Sequence, residues 1–203
     1  MIKRCKGSRV QIAPGASMKS ANITYFVHGT TIDNEKGVAT GQAPGELSEL
    51  GIKQSRELGE TIKNKKFDAI FSSDLKRAVD SVRLMFPKAK IIKDKRLREC
   101  DYGDMTGTAS KKIESADIAC IDEPFSNGES YQDVEKRIRN FLKDLLGKHS
   151  GKKVAIVAHR APQLALDVIV KGKSWKQAMK EDWRPKKQWK PGWEYMVEEK
   201  MLK

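Results

Sequence analysis

Apolar residues along this chain come in short continuous runs, separated by longer segments of helical period. Asn22-Ile-Thr-Tyr-Phe-Val-His28 is β-branched and aromatic and gives way to Gly29-Thr30-Thr31, which predicts a buried strand entering a loop. Ser48 is placed to cap a helix with Leu50, Leu58 and Ile62 on one face. Asp68-Ala-Ile-Phe71 predicts a second short strand closed by Ser72-Ser73. Asp74 is then expected to cap a helix carrying Ala78, Val82, Met85 and Phe86. Lys90-Ile-Ile-Lys93 predicts a third strand. Residues 100–128 scatter Gly, Asp, Ser and Pro without a period, as a long functional loop with room for a short helix would. Ser130 with Asp133 forms a capping-box pattern ahead of Val134, Ile138, Phe141, Leu142 and Leu145 at helical spacing. Lys153-Val-Ala-Ile-Val-Ala-His159 is continuously apolar, the mark of a central parallel strand. Pro162 is suited to begin a helix with Leu164, Leu166, Val168 and Ile169, and Trp193–Val197 alternates like a half-exposed last strand.

Strands and helices therefore alternate, which predicts an α/β three-layer sandwich: a mostly parallel central sheet with helices on both faces. No repeat or Gly/Ser linker divides the chain, so a single domain is expected over residues 18–203. Residues 1–17, ahead of a strand that begins just after Met18, read as an N-terminal tail.

Composition narrows the partners. A formal charge of +13 favours anions, whether phosphorylated metabolites, nucleic acids or acidic membranes, without choosing among them; a lysine-rich solvated surface gives the same number. Cys5, Cys100 and Cys120 lack the spacing of a disulfide framework or zinc site, which fits a reducing, cytoplasmic location. No apolar run approaches the ~18 residues of a membrane span, and no signal-peptide pattern follows the basic start, so no membrane association is expected. Residues 171–190 interleave Trp175, Trp183 and Trp189 with eight cations. That mixture can stack single-stranded nucleic acid. It lacks a recognised binding pattern, so the preferred reading packs the tryptophans on the sheet, and nucleic acid is not the expected partner.

Candidate chemistry sits at two strand ends. In open α/β sheets ligands bind outside the carboxyl ends of the strands. His28 and His159, two of three histidines, each close an apolar strand, so separate strands can bring both imidazoles to one crevice. His149, after a helix, reads as a solvated C-terminal residue. Zinc is a rival, but no third ligand stands at recognisable spacing. The nearby Arg77 and Arg160 would repel a metal and attract an anion. No metal or other cofactor is expected.

The run Phe26-Val27-His28-Gly29-Thr30-Thr31-Ile32-Asp33-Asn34 resembles the signature of the histidine phosphatase superfamily, the phosphoglycerate-mutase-like proteins. The resemblance continues through Leu47–Gly51 with Gln54, Ser72–Ala78, Leu97-Arg-Glu99 with Gly103 and Gly107, Gly128–Ser130 followed by Arg137, and Val157-Ala-His159. Six pieces in order cover about residues 22–160. The resemblance implies that His28 is the nucleophile accepting a phosphoryl group and that His159 stabilises the transferring phosphate. It further implies that Arg77 binds the equatorial oxygens, Glu99 exchanges protons with the leaving group and water, and Asn34 lines the phosphate pocket. The plainer alternative for Asn34 is an ordinary turn residue.

Two departures matter. Val27 stands where the family has its first phosphate-binding arginine, and Thr30 where it has glutamate. Arg160, following His159, is expected to supply the missing guanidinium; the alternative is that it faces solvent or pairs with an acid. The implied activity is a metal-independent phosphatase acting on a small phosphomonoester through a phosphohistidine on His28. The alternatives are a catalytically impaired phosphate-binding or interaction module and a phosphoglycerate-type mutase. The mutases of this superfamily tend to be longer than this chain.

Overall fold

The computed structural model describes residues 18–184 and 192–203. The tail read over 1–17, and Lys186, Lys187, Trp189 and Lys190 of the basic segment, lie outside the described residues.

The first strand, β1 (Ser20–Val27), leads into a one-turn helix α1 (Ile32–Glu35) and then α2 (Glu49–Ile62). Next come β2 (Ala69–Ser72), α3 (Lys76–Met85) and β3 (Ile91–Lys93). The segment predicted as a loop carries a short helix, α4 (Ser110–Ala116), flanked by two 3-10 turns. The long α5 (Tyr131–His149) precedes β4 (Lys153–Ala158), α6 (Arg160–Lys171), α7 (Trp175–Lys180) and β5 (Trp193–Glu198).

The sheet order is β3-β2-β4-β1-β5; only β5 runs antiparallel. The architecture is the expected α/β sandwich. Phe26, Ile70, Ala155 and Val157 face Leu58 and Ile62 of α2 and Val82 and Met85 of α3. On the other face Tyr25, Phe71, Val154 and Ile156 meet α5 and α6. β4, central and covered on both sides, has its last five residues buried, which is why its sequence is apolar without alternation.

Local details depart from expectation where a specific contact wins. Leu50 is 48% exposed, and the inward row of α2 is Gly51, Ser55, Leu58 and Ile62. Leu58 and Ile62 face inward as expected, and only the first turn differs: there Gly51 takes the inward position against the loop after β1, where a Cβ would stand 1.9 Å from the Thr30 carbonyl oxygen. Asp74 does not cap α3. Its carboxylate takes the Arg98 fork at 2.7 and 2.6 Å, a charge-assisted pair stronger than a cap, and Ser73 Oγ accepts the Leu75 N–H instead. α6 starts two residues before Pro162, which sits in the first turn where no intrahelical acceptor is lost. His149 is half-buried, its ring edge-on to Phe71 at 5.4 Å, and not simply solvated.

The described part of the basic segment is tied down. Trp175 is buried with its Nε1 donating to Glu135, and Trp183 packs on Trp193. Lys171 and Lys173 both pair with Asp167. Among the described residues, no helix is long and apolar enough to cross a membrane.

Candidate active site

The register of the sheet brings the two histidines together. Val27 pairs with Ala158 on the last rung between parallel β1 and β4, so His28 and His159 leave adjacent strands side by side. Their ring centroids are 5.0 Å apart at an interplanar angle of 62°. Fully buried Tyr25 locks the second strand end: its hydroxyl donates to the His159 carbonyl (2.7 Å) and accepts the His159 N–H (3.0 Å).

The two rings differ in their bonding. His28 Nδ1 lies 2.7 Å from the Gly29 carbonyl oxygen. A carbonyl only accepts, so Nδ1 carries the proton and Nε2 presents its lone pair. Arg77 Nε donates to that Nε2 at 3.3 Å. Burial, reinforced by the Arg77 charge, lowers the His28 pKa to about 3, leaving a neutral imidazole. His159 is 0% exposed and neither ring nitrogen has a hydrogen bond among the described residues. Burial first, then Arg77 and His28, hold it neutral as well.

The loop after β1 is pinned at several points. The Gly29 N–H donates to Ser81 Oγ, which in turn donates to the Arg77 carbonyl, joining the loop after β1 to α3. A Cβ at Gly29 would come within 2.4 Å of the Gly51 carbonyl oxygen, so loop and α2 meet backbone to backbone. Thr30 donates from both its N–H and its hydroxyl to Gln54 Oε1, the role that sequence alone did not supply for it. Thr31 and Asn34 form a reciprocal capping box on α1. Asn34 is thus a turn-forming residue that also lines the cavity described below.

Arg77 is buried near the start of α3, its Nη1 and Nη2 donating to the carbonyls of Ala43 and Gly41. Glu99 caps α6 from outside. That helix has no side-chain cap of its own, and the Glu99 carboxylate accepts the N–H groups of Arg160, Ala161 and Cys100 at 3.2, 2.9 and 2.9 Å. Its backbone carbonyl is held by Arg137 and Gln42.

These groups line an open-sided cavity of about 70 Å³, with His28, Asn34, Thr40, Arg77, Glu99, Tyr102, Ser110, Ile113 and Arg184 among its walls. At about 30 Å³ per water, that is roughly two waters' space, suited to a small group. A broader cleft opens at the amino ends of β1 and β4, between Lys65, Lys153 and Tyr195, where no histidine lies.

Arg160 goes elsewhere. Its guanidinium is buried and binds Asp182 through Nε (2.6 Å) and Asp117 through Nη2 (2.7 Å), with Tyr131 as a further partner. The expectation that it turns toward His28 is thus replaced by the acid-pairing alternative. Once buried, a guanidinium needs carboxylates, and two are supplied there. The second arginine on the cavity wall is Arg184, which the sequence showed only as one of many cations in the basic segment. Tyr25, Tyr102 and Ser81 carry no signal in the sequence, being buried polar groups inside otherwise apolar, loop or helical patterns. Among the described residues, no cluster of three or more His, Cys, Asp or Glu is arranged to hold a metal ion.

Comparison with known proteins places this geometry. The model of the histidine phosphatase superfamily (branch 1) matches residues 25–190. A phosphoglycerate mutase of Schizosaccharomyces pombe is 31% identical over 172 residues, covering 76% of this chain and 82% of that protein. A metal-independent phosphoserine phosphatase of Arabidopsis thaliana is 31% identical over 151 residues, 68% of this chain and 63% of that protein. A solved mycobacterial glucosyl-3-phosphoglycerate phosphatase, in complex with VO3, superposes with a TM-score of 0.68 at 28% identity, covering 77% of this chain and 85% of that one. With two imidazoles and a buried arginine at the carboxyl ends of its central strands, this chain belongs to the histidine phosphatase superfamily, branch 1.

Proposed function

We propose that this enzyme hydrolyses small phosphomonoesters by transferring the phosphoryl group to Nε2 of His28 and then to water. The observation that carries the reading is the state of the His28 ring. It is neutral, has its proton fixed on Nδ1, and offers the Nε2 lone pair at the cavity beside Arg77. Neutral imidazole is a competent nucleophile, and phosphoimidazole is reactive enough to pass its phosphoryl group on.

The remaining roles follow from position. Phosphoryl transfer needs in-line placement and charge stabilisation more than covalent machinery. As a phosphate enters, the Arg77 Nε–H exchanges Nε2 for a phosphate oxygen and frees the lone pair for attack. His159 carries two buried ring nitrogens without partners, each worth about 1–3 kcal/mol if satisfied. A proton on one of them would serve the equatorial oxygens. Glu99, on the cavity wall, gives a proton to the leaving alkoxide and later takes one from water. Asn34 has its Oδ1 in the capping box, and its Nδ2 makes no hydrogen bond among the described residues, leaving a donor for the phosphate. Val27 stands where the resemblance puts an arginine and is buried in the apolar cluster, so Arg77 carries more of the phosphate charge. A cytoplasmic setting suits the free thiols of Cys100 and Cys120.

A mutase remains the second reading. Its relative in Schizosaccharomyces pombe is covered over 82% of its length, so chain length does not separate the two activities. Release of phosphate from nitrophenyl phosphate by the wild type, abolished in His28→Ala, is the expected result. No release, with isomerisation of 3-phosphoglycerate in the presence of a bisphosphate primer, makes it a mutase. Phosphate binding with neither reaction reduces it to a binding module.

A further inference from the structure

Gly128-Glu129-Ser130 and Arg137 stand out in the sequence, yet none of them lines the cavity. They close instead on the stretch of chain that carries Glu99. Arg137, on α5, holds Glu129 in a two-bond fork, Nε to Oε1 at 2.9 Å and Nη2 to Oε2 at 3.1 Å. The two side chains are only 15% and 25% exposed. Arg137 also donates to the carbonyls of Arg96 and Glu99, while Glu129 Oε2 accepts the Asp101 N–H at 3.0 Å. The Glu129 N–H returns to the Asp101 carbonyl at 2.9 Å. A Cβ on Gly128 would stand 2.4 Å from that same oxygen, so a glycine lets the two backbones meet. Ser130 then caps α5.

The peptide unit between Glu99 and Cys100 joins this clamp to the Glu99 carboxylate. A trans peptide points its C=O and N–H in opposite directions within one plane. Here the C=O accepts from Arg137 Nη2 at 3.0 Å and from Gln42 Nε2 at 3.1 Å. The N–H donates to the Glu99 carboxylate itself, Oε1, at 2.9 Å. Pinning the carbonyl therefore aims the N–H, and the N–H holds one oxygen of the carboxylate. The N–H groups of Arg160 and Ala161 secure the same carboxylate against the start of α6.

We infer that Arg137 and Glu129 are positioning residues for proton transfer: their ion pair sets the plane of the Glu99–Cys100 peptide and, through it, the tilt of the Glu99 carboxylate toward the leaving group. A bidentate fork suits this task because it fixes orientation as well as distance, which a lysine in place of the arginine would not. Gln42 shares the work from the opposite element, the loop that leads to α2. The inference rests on the proton-transfer reading of Glu99 and adds what keeps that group in line.

The test is kcat/KM of the full chain on two substrates, ethyl phosphate and nitrophenyl phosphate, per folded molecule. Only the alkyl leaving group needs a well-placed proton donor. In Glu129→Gln and in Arg137→Lys, turnover of ethyl phosphate should fall about tenfold further than turnover of nitrophenyl phosphate. In a Glu99→Gln background the same two substitutions should leave the ratio of the two rates unchanged, as expected of residues that act through one group. A merely structural role would lower both rates equally; that result overturns the inference, as does a selective loss that persists in the Glu99→Gln background. If the ion-pair variants do not fold, Gln42→Ala decides, because it removes a donor to the same carbonyl without stranding a charge. A selective loss there supports the inference and an unchanged ratio overturns it. Selective loss in Glu99→Gln but in none of the other variants sinks the inference alone. Equal losses in Glu99→Gln sink the proton-transfer reading and the inference with it, and a wild type that turns over neither substrate sinks the hydrolase reading as well.

Discussion

Nε of Arg77 and Nε2 of His28 stand 3.3 Å apart, with the arginine donating and the histidine accepting. One contact thus ties the buried cation of the cavity to the ring nitrogen proposed as the nucleophile. It also lowers the histidine's affinity for a proton, after burial the larger cause.

Replacing Arg77 therefore has two separable effects. Loss of a charge-assisted contact to phosphate costs about 1.5–3 kcal/mol, roughly ten- to a hundredfold in kcat/KM. Arg77→Lys should recover only part, since a lysine cannot hold the Gly41 and Ala43 carbonyls while reaching the phosphate. The His28 pKa should also rise from about 3 in Arg77→Ala, staying below the ordinary value because burial remains. Steady-state kinetics and NMR titration of the His28 ring check the pair. An Arg77→Lys enzyme with wild-type kcat/KM contradicts the assignment.

Glu99 has a structural duty as cap of α6, so a plain loss of activity in a variant would not identify a proton-transfer role. Leaving-group dependence does. In Glu99→Gln, hydrolysis of alkyl phosphates should fall on the order of 10²–10⁴-fold. Hydrolysis of nitrophenyl phosphate, whose leaving group needs little protonation, should fall much less. Equal losses on both substrates would reduce Glu99 to its capping role.

Arg160 is expected to act on stability, because its buried guanidinium is bound to Asp117 and Asp182. Arg160→Met leaves buried Asp117 without its cation and Asp182 with Arg184 alone, and breaking a buried pair in this way typically costs about 3–5 kcal/mol. The expected signature is a large drop in denaturation midpoint. Below that midpoint, turnover of nitrophenyl phosphate per folded molecule should fall less than in Arg77→Ala. A variant as stable as wild type but inactive would return Arg160 to the phosphate site.

These assignments show what sequence can and cannot carry. All five strands were legible, because each is a short β-branched or apolar run bounded by breakers, and parallel order followed from alternation with helices. The pairing of His28 with His159 followed in turn, since residues at the ends of parallel strands share one edge of the sheet. Arg160 was not legible. A cation after a strand-end histidine looks the same whether it faces a pocket or two acids, and its partners are 43 and 22 residues away. Leu50 failed for a related reason: the inward position in the first turn of α2 is taken by a glycine touching Thr30, and a glycine adds nothing to an apolar stripe. Arg184 was hidden among lysines because only the fold distinguishes it from its neighbours.

Stability should depend on pH through the two histidines. Both have folded pKa values below the ordinary 6.5, His28 at about 3 and fully buried His159 lowered as well. An unfolded chain then binds more protons than the folded one at pH below about 6.5, and stability rises with pH wherever that holds. The contribution is fully present above the unfolded value and is lost as pH falls toward the folded value, at a slope of at most about 1.4 kcal/mol per pH unit per histidine. His159, with both nitrogens buried and unpartnered, should supply a clear share. The measurement is the denaturation midpoint between pH 7.5 and 4 for wild type and His159→Gln. Glutamine does not titrate, so the variant's curve should be flatter over this range whatever its absolute stability. Saturating phosphate should raise the wild-type midpoint as well, since a ligand bound only by the folded state stabilises it by mass action. Parallel pH curves for the two proteins would mean that His159 takes up a proton in the folded state as readily as in the unfolded chain, contrary to its buried neutral form.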